Sequence, residues 1–269
     1  MGLSAATIAL GMFGLWLLSI RVNDVSFIDS CWGAGFVVVA VVAYFADPTG
    51  DSVRRGLLLV ITTVWGLRLA TYLLWRWRRN GPDKRYVSML RHAPGNKHVF
   101  TLIRVFGMQG FFMFIVSLPV QLGQVYARPT GLTPQALVGL ALCTLGIGFE
   151  SIADLQLTRF RANSANAGQV MDGGLWRYTR HPNYFGDACT WWGLFLVAVV
   201  NPVTAVAVLG PVLMTTLLLR YSGIGPLERG LRRRHPDYEA YAARTSAFLP
   251  MPRRKSSASL ATAAGGDVR

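Results

Sequence analysis

Charged residues are scarce in this chain, and acidic ones are the scarcest. Only 15% of its 269 residues are charged, with 13 Asp and Glu against 27 Lys and Arg, whereas 52% are hydrophobic. A soluble domain carries roughly a quarter charged residues, so this composition excludes an ordinary soluble fold. Apolar stretches of about 20 residues, the length that crosses a bilayer, recur instead from the first residue to Tyr221. The chain is predicted to be an integral membrane protein.

Cysteine is also scarce, and no glycine-rich nucleotide motif is present. Cys31, Cys143 and Cys189 stand alone, with no CxxC pair and no histidine at ligand spacing, so neither a disulfide nor a metal site is predicted. Gly33 and Gly35 are followed by no third glycine at the spacing of a Rossmann fingerprint. Any dinucleotide would therefore have to bind the helices themselves.

Seven apolar stretches predict an all-α bundle of about seven transmembrane helices in a single domain, residues 1–255, followed by a disordered tail at 256–269. The first stretch has no basic residue before it and no cleavage site after it, so we expect a retained helix rather than a signal peptide. The predicted spans are Leu3 to Ile20, Val25 to Ala46, Gly56 to Trp77, Phe100 to Tyr126, Leu132 to Leu157, Tyr184 to Val200 and Val203 to Tyr221.

The net charge of +14 is concentrated in segments between the spans, which is typical of loops kept in the cytoplasm. This distribution predicts the inner membrane of a bacterium, with the N-terminus outside and the C-terminus cytoplasmic. Membrane lipids are the expected partners, and nucleic acid is not. The basic segments predicted inside are Arg21, Arg76 to Arg104, Arg159 to Arg180 and the tail, whereas Arg54, Arg55 and Arg128 lie outside.

The segment 173–187 carries the most informative polar pattern. Pro182 suits the first turn of a helix, which places Arg180 and His181 where helix N–H groups and arginine donors favour a phosphate. Asn183 and Asp187 then share one helix face. A carboxylate within a span is costly unless it has a function or a partner. The alternative is that Arg180 and His181 anchor the helix at lipid headgroups.

Two further groups of polar residues flank this segment. Glu150, Asp154 and Arg161 form one stripe on a helix, which either contributes to a site or makes an internal ion pair. Glu228 and the run 235–241 follow the last span, where the alternative is an interfacial amphipathic helix.

These motifs resemble the steroid 5α-reductase superfamily, in particular its bacterial branch. The resemblance rests on Gly-Gly-Leu-Trp at 173–176, Arg-His-Pro-Asn-Tyr-Phe-Gly-Asp at 180–187, a closing Asp-Tyr at 237–238, and the segments 23–33 and 68–72. It covers most of the chain. A shorter Arg-His-Pro-x-Tyr-x-Gly also occurs in isoprenylcysteine and phospholipid methyltransferases.

The resemblance implies a reductase that uses NADPH, bound on the cytoplasmic side, to reduce a C=C bond conjugated to a carbonyl in a lipophilic, steroid-like or isoprenoid-like substrate. Residues 1–130 would form the substrate half and 131–255 the cofactor half. The superfamily's animal enzymes polarise the ketone with a glutamate and a tyrosine, for which the counterparts here are Asp29 and Tyr72. By matching positions, the cofactor-binding residues are Asp154, Arg161, Arg180, His181, Asn183, Tyr184, Asp187 and Glu228.

Other interpretations stay open. Asp29 can instead pair with Arg68 across helices, and Tyr72 can simply pack among aromatic residues. The whole chain can be a methyltransferase that uses S-adenosylmethionine, although that group usually carries paired glutamates after its last span, and here Arg229 follows Glu228. A non-enzymatic membrane scaffold or lipid-binding protein predicts no nucleotide affinity.

Overall fold

The computed structural model of the protein describes residues 1–221 and 223–254, and these residues contain no strand. The predicted tail at 256–269 lies outside the described residues. In chain order the helices are α1 (Gly2–Val22), α2 (Ile28–Ala46), α3 (Ser52–Asn80), α4 (Lys84–Arg91), α5 (Lys97–Val116), α6 (Leu118–Leu122), α7 (Pro134–Ala162), α8 (Pro182–Ala198), α9 (Pro202–Tyr221), α10 (Ile224–Arg234) and α11 (Tyr238–Arg244).

A helical membrane bundle is confirmed. In the described part of the chain, six helices are long and apolar enough to cross a bilayer, namely α1, α2, α3, α5, α7 and α9. The remaining predicted span corresponds to α8, whose 17 residues lie at the short end of the range for spanning helices, about 17–25.

The predicted fourth span, Phe100 to Tyr126, was too long. Helix α5 ends at Val116, and the short α6 follows it. Ser117 has φ −78° and ψ 0°, outside helical geometry, and Pro119 has no N–H to continue the hydrogen-bond ladder. Within α5, residues Leu102–Gly107 form a π-helical turn.

The third span was predicted to begin at Gly56, but α3 begins at Ser52 and already contains Arg54. Asp51 caps the helix by accepting a hydrogen bond from the Arg54 N–H at 2.9 Å. The Arg54 side chain is buried, and its guanidinium donates to the carbonyls of Gly123 (2.9 Å), Pro129 (3.0 Å) and Tyr126. These backbone acceptors make the burial of the cation tolerable.

The chain divides into two compact units. The first contains Met1–Ala141 and Trp192–Leu213, and the second contains Leu142–Trp191 and the chain from Met214 onward. In the first unit α2 packs closely on α3, since a Cβ at Gly33 would lie 2.1 Å from the Gly66 carbonyl oxygen. This contact fixes the position of α2, whose first turn carries Asp29.

In the second unit, α7 and α8 approach through two glycines. A Cβ at Gly146 would lie 2.5 Å from the carbonyl oxygen of Gly186, and a Cβ at Gly186 would lie 2.5 Å from that of Gly146. Larger residues would separate the two backbones. The close approach brings the polar stripe of α7 alongside the polar face of α8.

Candidate active site

Asp29, in the first turn of α2, is held by two side chains of the short helix α4. The Tyr86 hydroxyl donates to Asp29 Oδ1 at 2.7 Å, and Arg85 Nη2 donates to Oδ2 at 3.2 Å. The Asp29 side chain keeps 30% of its surface exposed. The carboxyl group is therefore both oriented by its neighbours and accessible to a ligand.

Two more residues extend this arrangement into the first unit's interior. Gln109 of α5 donates from Nε2 to the Tyr86 hydroxyl at 3.0 Å, and Trp32 of α2 donates from Nε1 to Gln109 Oε1 at 2.5 Å. Trp32 itself packs edge-on against Phe36, with ring centroids 5.6 Å apart. We call Trp32, Gln109, Tyr86, Asp29 and Arg85 the Asp29 network.

The electrostatic environment keeps Tyr86 in its neutral form. Burial raises its pKa, and the charge of Asp29 together with the hydrogen bond to it raises the pKa further. Burial alone would lower the pKa of Arg85, but hydrogen bonding to Asp83 and the charge of Asp29 raise it. The network thus contains a phenol that retains its proton and a permanently charged guanidinium at neutral pH.

The structure brings Tyr86, rather than the predicted Tyr72, to the Asp29 carboxyl. Tyr72 stacks on Trp75, with ring centroids 6.1 Å apart, and the Arg68 guanidinium carbon lies 5.9 Å from its ring centre. The alternative prediction paired Asp29 with Arg68, but the arginine that forms the ion pair with Asp29 is Arg85. Whether Tyr72 takes part in catalysis stays a prediction.

Tyr86 was not among the predicted site residues, although the sequence around it contains a local signal. It lies in the long polar segment between the predicted third and fourth spans, directly after Asp83, Lys84 and Arg85. Asp83 accepts a hydrogen bond from the Arg85 N–H at 2.8 Å and so caps α4. This cap could have indicated a short helix carrying Tyr86.

The second unit gathers polar residues along α7 and α8. Asn183 Nδ2 donates to Asp154 Oδ1 at 3.3 Å, and Asp154, Glu150 and Asp187 are all buried. Arg161, at the end of the same stripe on α7, is exposed. Two of the predicted cofactor-binding residues, Asp154 and Asn183, therefore meet between the two helices of this unit.

Arg180, His181 and Glu228 form a compact group that we call the Arg180 cluster. Arg180 donates from Nε and Nη2 to the two carboxylate oxygens of Glu228 at 2.8 and 3.2 Å, and His181 Nε2 lies 3.1 Å from Glu228 Oε1. Arg180 Nη1 also donates to the carbonyls of Ala242 and Thr245 at 2.9 and 2.6 Å. The cluster joins the start of α8 to the C-terminal segment, residues 224–254.

Charges in the Arg180 cluster are matched. Burial opposes ionisation of Glu228, but hydrogen bonds from His181 and Arg180 outweigh it and lower its pKa to about 2. Burial lowers the pKa of His181, and the Glu228 carboxylate only partly offsets this effect. At neutral pH the cluster therefore pairs an ionised Glu228 with a charged Arg180 and a neutral imidazole that donates its Nε2–H.

These intramolecular bonds bear on the predicted cofactor contacts. Four N–H groups of Arg180 are already used by Glu228 and by the two carbonyls, so in this geometry the side chain positions the first turn of α8. Tyr184 stacks on His181, with ring centroids 5.4 Å apart and planes at 5°. Direct contact of these residues with a cofactor stays a prediction.

Comparison with known families agrees with the helical membrane fold. Residues 15–245 match the family model described as a protein of unknown function, DUF1295, which lies within the steroid 5α-reductase-like superfamily. The predicted resemblance is confirmed at the level of the superfamily, and its bacterial branch stays a prediction. Since the match covers most of the chain, the protein belongs to the DUF1295 family. No curated protein and no solved structure matches it.

Proposed function

We propose that the protein is an NADPH-dependent membrane reductase of a C=C bond conjugated to a carbonyl in a lipophilic, steroid-like or isoprenoid-like substrate. The observation that carries the proposal is the 2.7 Å hydrogen bond between Tyr86 and the accessible Asp29. Membership of the steroid 5α-reductase-like superfamily supports it.

A phenol and a carboxyl group side by side suit the chemistry of an enone. When hydride reaches the β-carbon, the electrons of the C=C bond move toward the carbonyl and negative charge develops on its oxygen. A hydrogen-bond donor fixed in advance at that oxygen stabilises the charge, most strongly where water is excluded. Tyr86 keeps its proton and can act as this donor, backed by Asp29.

The polar side chains of the second unit suit the groups of a dinucleotide. Asp154 and Asn183 offer a carboxylate and an amide for hydroxyl or carboxamide groups, and the exposed Arg161 offers a cation for a phosphate. NADPH bound there would supply the hydride. The Arg180 cluster would hold the first turn of α8, and with it Asn183, in position for binding.

An apolar groove in the first unit suits the lipophilic part of such a substrate. It has a volume of about 360 Å³ and lies between α1 and α5. Gly107 and Gly110 form part of its wall, and no charged residue lines it. Its other lining residues are Ala5, Ile8, Ala9, Met12, Phe13, Leu102, Phe106, Phe111 and Phe114.

Ligand binding to the purified protein in lipid nanodiscs tests the proposal. Calorimetry should detect NADPH but not S-adenosylmethionine, and Asn183→Ala should weaken NADPH binding at least tenfold, roughly the worth of one hydrogen bond to a charged or polar group. Gln169→Ala, which removes an exposed amide with one local backbone contact, is the matched control. NADPH oxidation is then followed with a 3-oxo-4-ene steroid and with the isoprenoid enal geranial.

The possible outcomes separate the candidate functions. Binding of S-adenosylmethionine alone would replace the reductase by a methyltransferase, and binding of neither ligand would favour a scaffold. NADPH binding that is equal in Asn183→Ala and the parent protein would show that the cofactor residues are assigned wrongly.

A further inference from the structure

The hydrogen bonds of the Asp29 network have a forced direction. The indole N–H of Trp32 can only donate, so the Gln109 atom 2.5 Å away must be the amide oxygen. The amide nitrogen of Gln109 is then the atom that faces Tyr86 at 3.0 Å. Trp32 thereby fixes which way the Gln109 amide points, a choice that the amide itself would leave open.

The direction continues through Tyr86. The Gln109 amide nitrogen can only donate, so the Tyr86 oxygen accepts. A phenol has one proton, and the remaining partner within hydrogen-bond distance is Asp29 Oδ1 at 2.7 Å. In this geometry the Tyr86 proton therefore points at the Asp29 carboxyl group and away from any ligand. Arg85, bonded to the second carboxylate oxygen, favours this resting arrangement.

We propose that Gln109, oriented by Trp32, is a positioning residue that directs the Tyr86 hydroxyl to Asp29, so that Tyr86 can donate to a substrate carbonyl only after Asp29 has taken up a proton. The orientation of the hydroxyl follows from the geometry alone, and its consequence for the reaction rests on the proposed function.

The proton transfers balance in this scheme. Protonated Asp29 donates to the Tyr86 oxygen, which also accepts from Gln109 and is then free to donate its own proton to the substrate. As the carbonyl oxygen gains negative charge, the Tyr86 O–H bond breaks and an O–H bond forms on the substrate. The Asp29 proton moves to Tyr86, and the carboxylate left behind pairs with Arg85.

The scheme also sets the sign of the pH dependence. The productive form has Asp29 protonated, so turnover is high below the pKa of Asp29 and falls as the pH rises through it. The charged and titratable groups that face Asp29 are Tyr86, Arg85, Asp83, Arg76 and Cys31.

Infrared spectroscopy tests the orientation without any substrate. The difference spectrum between the protein and its Tyr86→Phe variant, with ring-deuterated tyrosine, isolates the Tyr86 C–O stretch, which distinguishes a hydroxyl that donates and accepts from one that only donates. Gln109→Leu should convert the first signature into the second. Gln121→Leu is the control, because Gln121 is buried in the same unit but bonds to Phe114 and Ser117 instead.

Turnover measurements test the role of Gln109 in the reaction, with whichever of the two enone probes the protein reduces. Gln109→Leu should lower kcat roughly tenfold with little change in KM, because the Tyr86 oxygen loses a hydrogen-bond donor while its proton moves to the substrate, about the worth of one hydrogen bond. Gln109→Glu should restore kcat at low pH, where a protonated glutamate donates to Tyr86, and lose it as the pH rises and the carboxylate attracts the Tyr86 proton.

An unchanged Tyr86 band in Gln109→Leu would overturn the inference, and so would a Gln109→Glu variant with the pH profile of the parent protein. A band that changes as expected supports the orientation even if neither enone is reduced. That last result would count against the proposed function alone.

Discussion

Asp29 and its hydroxyl partner are joined across 57 positions of the chain. Asp29 was predicted as the counterpart of a superfamily glutamate, and the structure gives it two partners on α4. Tyr72 was predicted in the same way as the counterpart of a superfamily tyrosine, whereas the tyrosine that reaches Asp29 is Tyr86 of the short polar helix α4. Local pattern can single out an unusual residue, but it does not show which distant residue will face it.

The two tyrosines provide a direct comparison. Tyr86→Phe removes the hydroxyl that bonds Asp29 and should lower turnover by about 100-fold, the lower part of the range for a lost general acid. Tyr72→Phe should leave turnover within about twofold, because the phenyl ring preserves the stacking on Trp75. NADPH oxidation with the enone probes measures both. Equal losses of turnover in the two variants, or a larger loss for Tyr72→Phe, would indicate that Tyr72 is the catalytic tyrosine.

The C-terminal segment gains its position from the element that precedes α8. Arg180 binds the carbonyls of Ala242 and Thr245, its own N–H donates to the Ser246 carbonyl at 2.8 Å, and the Tyr241 hydroxyl donates to the Trp176 carbonyl at 2.6 Å. From the sequence, an interfacial amphipathic helix was the alternative for this region. The contacts depend on backbone carbonyls that no sequence motif marks, so they could not be predicted from residue types.

Acid should release this segment. Glu228 has a pKa of about 2 in the folded protein against an ordinary value of 4.5, so its contribution to stability is complete above about 4.5 and is lost as the pH falls toward 2. Protonation leaves the largely covered Arg180 guanidinium without its counter-charge. Hydrogen exchange of α10 and α11, corrected for intrinsic rates, should therefore accelerate across this range.

Glu228→Gln is the control for the acid response, because it keeps the shape of the side chain and removes its charge. Exchange of α10 and α11 in this variant should be faster than in the parent protein at neutral pH and should no longer respond between pH 4.5 and 2. If the acid response persists in Glu228→Gln, another carboxyl group holds the segment.

For the molecule as a whole, hydropathy sufficed to predict the fold class, since a bilayer imposes both the length and the helical form of each span. It did not reveal that Arg54 is buried, because the three carbonyls that bind its guanidinium come from a loop about 70 positions away. The division into substrate and cofactor halves and the orientation in the membrane stay predictions. Asp29 lies in the first unit, and the predicted cofactor residues lie in the second.

Membrane orientation has a direct test. With the three native cysteines replaced by serine, Thr130→Cys should react with an impermeant maleimide added to intact cells, because Thr130 is exposed in a segment predicted outside. His92→Cys, equally exposed but in a segment predicted inside, should react only after the cells are opened. The reverse labelling pattern would invert the topology.

The hydrogen bonds from Arg180 to backbone carbonyls also determine when, during synthesis of the chain, the second unit can be completed. The ribosome synthesises Arg180 more than 60 residues before Thr245, whose carbonyl is the last of the acceptors that the Arg180 guanidinium binds. Until that point the guanidinium must stay hydrated or borrow other partners, since burying it alone would be costly. The start of α8 can therefore reach its final form only when translation of the described chain is almost finished, and nascent chains that stall before residue 245 would present an incomplete second unit to the quality-control proteases of the cell.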